Sequence, residues 1–193
     1  TTFTSVNLSS NGNAQFMTTD TEFTNQCLPW PTHNYTIYPY WDDLYLVNGG
    51  FGIFTSVSGT APNRIFNIEW RSQYFPGSGS AGFELRLYEG QTRFDVIYGT
   101  VTNGNTSATA GVQRDNASVT QYFCNGSGGA ATGGQSYFYS GTLPISYAIG
   151  KSNPIGNSYR NGYCYRNVYS YCDTNSHAHW WYTYADAYLR SRG

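Results

Sequence analysis

Apolar and polar side chains alternate along much of the chain, and the alternation is clearest from Phe83 to Tyr98. Because successive side chains of a strand point to opposite faces, this pattern predicts two antiparallel strands. Gly90-Gln91 predicts a two-residue loop between them, with glycine in the first central position. The predicted register pairs Leu87 with Phe94, Leu85 with Val96 and Phe83 with Tyr98 on one face, and Arg86 with Asp95 and Tyr88 with Arg93 on the other. We therefore predict an antiparallel sheet with one face in a hydrophobic core.

Similar runs recur along the chain with turn signals between them, which is typical of a sandwich or jelly roll. Asn48-Gly49 predicts a hairpin between an aromatic run at 35–46 and a return strand at 50–57. The glycine-rich stretch 125–134 is interpreted as a flexible loop. No helical period of useful length occurs before residue 140. The predicted fold class is all-β, an antiparallel, jelly-roll-like β-sandwich.

The sequence changes character after Pro144, where a linker-like stretch precedes a run rich in tyrosine and cysteine. We predict a β-sandwich domain over residues 1–140 and a C-terminal extension over residues 141–193, which packs on the sandwich or on a neighbouring subunit. Exposed aromatic rings stack on sugars or pack against another protein copy, whereas ordinary core packing is the alternative. The candidate ligand or interface residues are Tyr163, Tyr165, Tyr169, Tyr171, Trp180, Trp181 and Tyr184.

The composition favours a secreted all-β protein. Charged residues make up 11% of the 193 residues, against about 25% in an average soluble domain. A formal net charge of −1 provides no attraction to nucleic acid. No apolar run reaches the length of about 18 residues that a membrane span requires. We therefore expect neither nucleic-acid partners nor membrane insertion. No signal-peptide pattern begins at Thr1, which would fit a mature form or an excised segment.

The cysteines Cys27, Cys124, Cys164 and Cys172 allow three disulfide pairings. We favour Cys27–Cys124, which would tie the start of the sandwich to its end, together with Cys164–Cys172, which would close a short loop. Free thiols are the alternative. A metal site is disfavoured because no Cys-x2–4-Cys spacing occurs.

Asp42 and Asp43 are adjacent carboxylates at the start of a predicted strand pair. They are candidate calcium ligands, since calcium prefers clustered carboxylate and carbonyl oxygens. Alternatively, aspartates cap turns by accepting hydrogen bonds from nearby backbone amides. No Asp-x-Asp-x-Asp loop is present, and we predict no cofactor other than this candidate calcium.

Glu69, Glu84 and Glu89 could face each other across adjacent strands, and paired carboxylates carry out glycoside hydrolysis. The arginines that we expect beside them are Arg71, Arg86 and Arg93. Arginine neighbours keep carboxylates ionised, which does not suit a general acid. No Gly-x-Ser-x-Gly nucleophile elbow precedes a helix. The sequence therefore predicts no catalytic site.

His177 and His179 lie two residues apart with Asp173 nearby, and they form the strongest metal-like pattern in the chain. Two imidazoles do not complete a zinc site, which requires three or four ligands, so surface polar residues are the preferred interpretation. We predict no metal site here.

Five Asn-x-Ser/Thr sequons are candidate glycosylation sites if the host glycosylates its secreted proteins. They begin at Asn7, Asn34, Asn105, Asn116 and Asn125. A chain this rich in asparagine, serine and threonine produces several such motifs by chance, so the motif alone is weak support.

A series of motifs carries a family resemblance. In order, these are Tyr38-Pro39-Tyr40-Trp41-Asp42-Asp43-Leu44, then Arg64-Ile65-Phe66-Asn67-Ile68-Glu69-Trp70, then Phe83 to Glu89, Phe94 to Tyr98 and Ser107 to Gln113. The series resembles secreted bacterial domains with a W-D-D-L, I-E-W and L-Y-E pattern. It is also similar to the extracellular NIDO domain of nidogen-type matrix proteins. Over residues 1–140, the resemblance implies an extracellular β-sandwich used as an adhesive or structural module, with no shared catalytic residue.

The leading interpretation is a secreted, non-enzymatic module of a cell surface or extracellular matrix. Its expected partners are other copies of itself, through the extension, or an extracellular protein or glycan. A carbohydrate-binding module is the first alternative, and a β-sandwich glycoside hydrolase is the second.

Overall fold

The computed structural model of the chain describes residues 2–137 with their side chains, and residues 138–139, 144–149, 163–167 and 169–173 as backbone. Every regular element in this part of the chain is a β-strand. The strands are β1 (Asn7–Ser9), β2 (Asn13–Gln15), β3 (Thr36–Trp41), β4 (Leu44–Tyr45), β5 (Gly52–Ser58), β6 (Ile65–Tyr74), β7 (Ser78–Tyr88), β8 (Phe94–Val101), β9 (Thr109–Asp115), β10 (Ser118–Cys124), β11 (Ser127–Gly128), β12 (Gly133–Tyr139), β13 (Pro144–Ile149), β14 (Tyr163–Asn167) and β15 (Tyr169–Asp173).

The strands form two large antiparallel sheets and one small one. The first sheet has the order β1-β2-β3-β9-β10-β11. The second has the order β13-β12-β8-β7-β6-β4, and β5 also pairs with β6. β14 and β15 pair only with each other among the described strands. The predicted all-β antiparallel sandwich is confirmed. Among the described residues, no helix has the length and apolar character needed to cross a membrane.

The hydrophobic core lies between the two large sheets and is dominated by aromatic rings. The second sheet supplies Trp70 and Phe83, which stack with their ring centroids 5.2 Å apart. The first sheet supplies Tyr40 and Phe123, whose rings meet edge to face at 5.9 Å. Trp70 and Tyr40 are fully buried. Tyr40 also packs against Phe83 across the interface, with ring centroids 5.6 Å apart, so rings from both sheets hold the layers together.

The predicted pairing of β7 with β8 is confirmed in register, although the predicted loop is wrong. Leu85 lies opposite Val96, and Arg86 lies opposite Asp95. The strands end at Tyr88 and begin again at Phe94, so the connection is longer than two residues. Gly90 takes a positive φ of 68° as the third residue of a turn in which the amide of Gln91 donates to the carbonyl of Tyr88.

The hairpin predicted at Asn48-Gly49 is wrong. β4 and β5 do not pair with each other, because both pair with β6. Tyr45 lies opposite Gln73 and Gly52 lies opposite Arg71, so the two strands follow one another along the same edge of β6. The turn at residues 48–51 therefore bulges out of this edge and does not reverse the chain.

An Asn-Gly hairpin turn does form, but at Asn125-Gly126, within the stretch that the sequence suggested was a flexible loop. Both residues have positive φ, 44° and 84°. Cys124 lies opposite Ser127, so the loop has two residues and β11 continues the sheet. This is the geometry that asparagine followed by glycine favours in a two-residue loop.

Residues 18–33 form a covering segment over the outer face of the first sheet, and glutamine side chains of that sheet hold its backbone. Gln113 Nε2 donates to the carbonyl of Trp30 at 2.7 Å, and Gln113 Oε1 accepts from the amide of Trp30 at 2.8 Å. Gln121 Oε1 accepts from the amide of Leu28, and Gln15 bonds both backbone groups of Asp20. These amide side chains bond the segment much as a neighbouring strand would.

The disulfide predicted between Cys27 and Cys124 is confirmed. It joins the covering segment to the end of β10, with Cα atoms 5.4 Å apart and a sequence separation of 97 residues. Because β10 is an inner strand of the first sheet, the bond fixes the covering segment to the body of the sandwich.

Beyond residue 137 the structure describes backbone alone. β13 pairs with β12 and extends the second sheet. In the hairpin of β14 and β15, Cys164 lies opposite Cys172 and Tyr165 lies opposite Tyr171. The predicted second disulfide and the domain boundary at residue 140 stay predictions. The side chains of Tyr163, Tyr165, Tyr169 and Tyr171, and all of Trp180, Trp181, Tyr184, His177 and His179, lie outside the described residues.

Candidate functional site

The outer face of the second sheet carries the carboxylates that the sequence marked as candidate catalytic groups. Glu69 lies directly opposite Glu84 on neighbouring strands, as the pattern suggested. Each is instead paired with an arginine two residues away on its own strand: Arg71 Nη2 lies 2.7 Å from Glu69 Oε2, and Arg86 Nε bonds Glu84. The arrangement is a row of ion pairs on a sheet surface.

Glu89 has a different partner from the one expected. Arg64 binds it through Nε, at 2.9 Å, and through Nη2 and the backbone amide, whereas the predicted neighbour Arg93 binds Asp95. The Arg64 hydrogen bonds lower the pKa of Glu89 to about 2. The hydrogen bonds from Arg71 likewise lower the pKa of Glu69. A general acid requires a raised pKa, so neither glutamate is prepared for that role.

Asp95 is the one deeply buried carboxylate of this face among the described residues, with 2% of its surface exposed. It accepts hydrogen bonds from Arg93 Nε at 2.9 Å, Arg93 Nη2 at 2.6 Å, Tyr88 Oη at 2.6 Å and Ser136 Oγ. Burial raises the pKa of Asp95, but the hydrogen bonds from Arg93, Ser136 and Tyr88 outweigh burial, so the net pKa is lowered. These bonds link β7, β8 and β12.

We expect Asp95→Asn to lower the free energy of unfolding at pH 7 by about 2 kcal/mol, the loss typical of hydrogen bonds to a buried charge. Asp95 has a lower pKa in the folded than in the unfolded state. Its contribution is therefore complete above the unfolded pKa of about 3.9 and disappears as pH falls through the folded pKa. Urea denaturation at pH 7 and at pH 3 should show the difference between the two proteins shrinking in acid.

The matched control for this change is Asp115→Asn, because Asp115 is ion-paired with Arg114 at 2.8 Å but is far more exposed. An exposed pair contributes little, because solvent and salt screen the attraction between its charges. If the two variants lost equal stability, or if Asp95→Asn kept the full difference at pH 3, the assignment of Asp95 as a charged structural centre would be wrong.

β5 is an open edge of the second sheet. It pairs with β6 on one side and with no described strand on the other. Its seven residues carry no charge and no proline, and most of them are exposed. Phe54 and Val57 are 40% and 63% exposed. The guanidinium carbon of Arg71 lies 4.4 Å from the centre of the Phe54 ring, so the ring is held in place by a cation–π contact.

The Asp42 carboxylate caps a turn and accepts hydrogen bonds from neighbouring groups. Its Oδ1 accepts from the amide of Asp43 at 2.9 Å, and its Oδ2 accepts from Ser107 Oγ at 2.6 Å. Burial raises the pKa of Asp42 despite these bonds. This matches the turn-capping interpretation. No cluster of three or more His, Cys, Asp or Glu residues suited to a metal occurs within the described part of the chain. Calcium at Asp42 and Asp43 stays a prediction.

A buried histidine lies beneath the covering segment. His33 is 1% exposed, with Nδ1 2.8 Å from Tyr38 Oη and Nε2 3.1 Å from Asp20 Oδ2. Burial lowers the pKa of His33 more than Asp20 raises it, so the ring is neutral at pH 7. A neutral ring satisfies both contacts when Nε2–H donates to Asp20 and the Tyr38 hydroxyl donates to Nδ1. The group anchors the segment, and the imidazole is closed off from solvent.

The candidate glycosylation sites differ in how their side chains are held. Asn34 is exposed. Asn7 Nδ2 donates to the carbonyl of Thr18 at 2.8 Å, and Asn105 Nδ2 donates to the carbonyl of Gly129 at 2.6 Å. Asn116 and Asn125 are exposed and take part in hydrogen bonds with Gln113 and Asn25. Glycosylation of all five stays a prediction.

Sequence reasoning expected Arg71 and Arg86 beside the glutamates, but it missed the pairing of Arg93 with Asp95, although a signal was present. Glu69 and Arg71, Glu84 and Arg86, and Arg93 and Asp95 are opposite charges two positions apart. Residues two apart on a strand share a face, so this spacing indicates pairing along the strand. The openness of the β5 edge had no comparable signal, because it depends on which strand lies next to it.

Comparisons with known proteins gave one match. A sequence profile of the family described as NIDO related matches residues 1–144. Neither the search of curated proteins nor the search of solved structures found a match. The match spans both large sheets through β12.

Proposed function

The chain belongs to the NIDO-related family, and on that premise we propose that it is a secreted, non-catalytic module with a structural or adhesive role at a cell surface or in an extracellular matrix. Membership of the family indicates an extracellular domain. The Cys27–Cys124 disulfide is consistent with this, since disulfides persist in oxidising compartments outside the cytosol.

The observation that carries the non-catalytic part of the proposal is the pairing of every candidate acid with arginine. Glu69, Glu84 and Glu89 are each bound to a guanidinium group on an exposed sheet face. Glycoside hydrolysis requires one carboxyl group with a raised pKa beside a second one poised for attack. The pKa values of Glu69 and Glu89 are shifted in the opposite direction. This arrangement favours binding over chemistry.

The adhesive part of the proposal is supported by large apolar side chains that the sandwich leaves exposed. Val47, Phe75 and Met17 are 77%, 59% and 61% exposed, in addition to Phe54 and Val57 on β5. Val47 lies between β4 and β5, just before the turn at residues 48–51, and the Phe75 ring lies 5.8 Å from that of Tyr45. All of these except Met17 lie on or beside the edge formed by β4 and β5, and exposed apolar groups of this kind are typical of surfaces that contact other macromolecules.

To test the proposal, microspheres are coated with the full chain, and their adhesion is measured to surfaces that carry purified matrix proteins, extracellular polysaccharides or the chain itself. The same polysaccharides are assayed for released reducing sugar. We expect adhesion without turnover. The matched variant, Glu69→Gln with Glu84→Gln, should change neither readout. In the proposed role, each glutamate only pairs with the arginine two residues away on its own strand.

Three outcomes would contradict the proposal. Turnover that disappears in the double variant would establish a hydrolase. Failure of the coated spheres to adhere to any surface would remove the adhesive role. Adhesion confined to polysaccharides and lost with Trp180→Ala and Trp181→Ala would replace it with the carbohydrate-binding alternative.

A further inference from the structure

Natural sheets usually protect their edges, and β5 lacks the usual protection. The described edges β1, β11 and β4 have only two or three residues, and β13 begins with Pro144. Short strands, prolines and charged side chains are the common means of preventing pairing with another chain. β5 has seven residues with no proline and no charge. Within the part of the chain that the structure describes, its outer edge therefore presents unpaired backbone groups over a length that suits an added strand.

The sequence of β5 is complementary to itself. An antiparallel pairing of two copies centred on Thr55 places Ile53 opposite Val57 of the second copy, and the converse by symmetry. Thr55 then faces its own counterpart. All three side chains are β-branched and share one face, and such pairs stabilise antiparallel sheets. No like charges oppose each other, because the strand has none.

The other face of the same pairing covers the exposed aromatic ring. Phe54 lies opposite Ser56 of the second copy, and the two Phe54 residues become diagonal neighbours. Diagonal neighbours lie about 7–8 Å apart, within reach of aromatic side chains. The nearest charges on this face, Arg71 and Glu69, already pair with each other, so the second copy would meet no unpaired charge.

We propose that β5 is a self-pairing edge: two copies of the chain join antiparallel about a two-fold axis at Thr55, and their second sheets become one continuous sheet. This goes beyond the proposed extracellular role and does not depend on it. The occupant is a second copy because the register matches side chain to side chain on both faces. A pairing of this kind is isologous and closes at a dimer.

The first experiment uses the full chain with Thr55→Cys under mild oxidation. Directly opposite residues in an antiparallel pair have Cα atoms about 4.5–5.5 Å apart, which is within disulfide range. The matched control is Ser58→Cys, since two copies of residue 58 would lie about 20 Å apart along the paired strands. We expect at least tenfold more covalent dimer from Thr55→Cys than from Ser58→Cys on non-reducing gels.

The second experiment measures self-association of the full chain by sedimentation equilibrium over a range of concentrations. Thr55→Lys combined with Val57→Lys should weaken the dimer at least tenfold, because both lysines oppose the second copy. Both positions are exposed, so the thermal midpoint of the monomer should not change. A chain that stays monomeric at high concentration would overturn the proposal. A dimer unaffected by the lysines, or equal cross-linking at positions 55 and 58, would do the same.

Discussion

Replacing Cys27 and Cys124 together with serine is expected to lower the free energy of unfolding by about 4 kcal/mol. The bond closes a loop with a sequence separation of 97 residues. In the chain-entropy treatment, cross-linking so long a loop removes enough freedom from the unfolded state to stabilise the fold by roughly this amount. Urea denaturation followed by far-ultraviolet circular dichroism measures the change.

The matched control is Cys164→Ser with Cys172→Ser, which removes the same number of sulfur atoms from positions only eight residues apart. A bond across such a short loop would stabilise the chain less, so the control should lose less stability. Hydrogen exchange gives a second readout: amides at residues 25–33 should exchange faster only in the first variant. A loss below about 1 kcal/mol would contradict the role of this bond.

Trp70→Ala is expected to cost about 4 kcal/mol, the range found when a large aromatic side chain is removed from a core. The Trp70 side chain is fully buried and stacks on Phe83. Its Nε1 donates to the carbonyl of Ser9 at 2.9 Å, which joins the second sheet to β1 of the first. Removing the ring leaves a cavity and takes away one of the two hydrogen bonds to the Ser9 carbonyl, which still accepts from the amide of Gly12 at 3.2 Å.

Trp70→Phe separates these two contributions, since it keeps most of the packing and loses the hydrogen bond. We expect a cost of about 1 kcal/mol for this variant, the net contribution typical of one hydrogen bond, because the Ser9 carbonyl keeps its bond from Gly12. Thermal and urea unfolding of both variants measure the difference. If phenylalanine and alanine cost the same, the hydrogen bond to Ser9 would outweigh the packing, which would contradict the interpretation of the core.

The sequence was sufficient to predict the β7–β8 pairing because several independent constraints agreed on one register. Apolar residues had to share one face, and opposite charges such as Arg86 and Asp95 had to share the other. A shift of one residue would have reversed both faces. The predicted loop failed because the turn depends on where the strands stop pairing, and the alternation continues to the residues next to Gly90.

Two of the Asn-Gly pairs in the chain show what local signals lack. Asn48-Gly49 and Asn125-Gly126 look alike in sequence, and only the second closes a two-residue hairpin loop. At the first, β6 is long enough to pair with both flanking strands in succession, so the chain continues along its edge. Competition for a distant partner decided the outcome, and no window of neighbouring residues contains that information.

The candidate site was predicted in part. The opposition of Glu69 and Glu84 followed from strand periodicity, and arginine neighbours were expected. The partner of Glu89 was not predicted. Arg64 directly precedes β6, and it meets Glu89 only when β6 and β7 pair in the folded register. The glutamines that hold the covering segment were also missed, since a buried glutamine has no distinctive sequence pattern.

The covering segment gives the described part of the molecule two unlike sides. Behind the first sheet, backbone and aromatic rings such as Trp30 and Trp41 fill the space that water would occupy. The second sheet turns guanidinium and carboxylate groups outward. Added salt would weaken the binding of a ligand to the ionic side, whereas binding to the covering segment, whose only carboxylates are Asp20 and Glu22, would depend less on salt. If the protein is immobilised on a support, the side that faces solvent should therefore decide whether a bound ligand is released by a rising salt concentration.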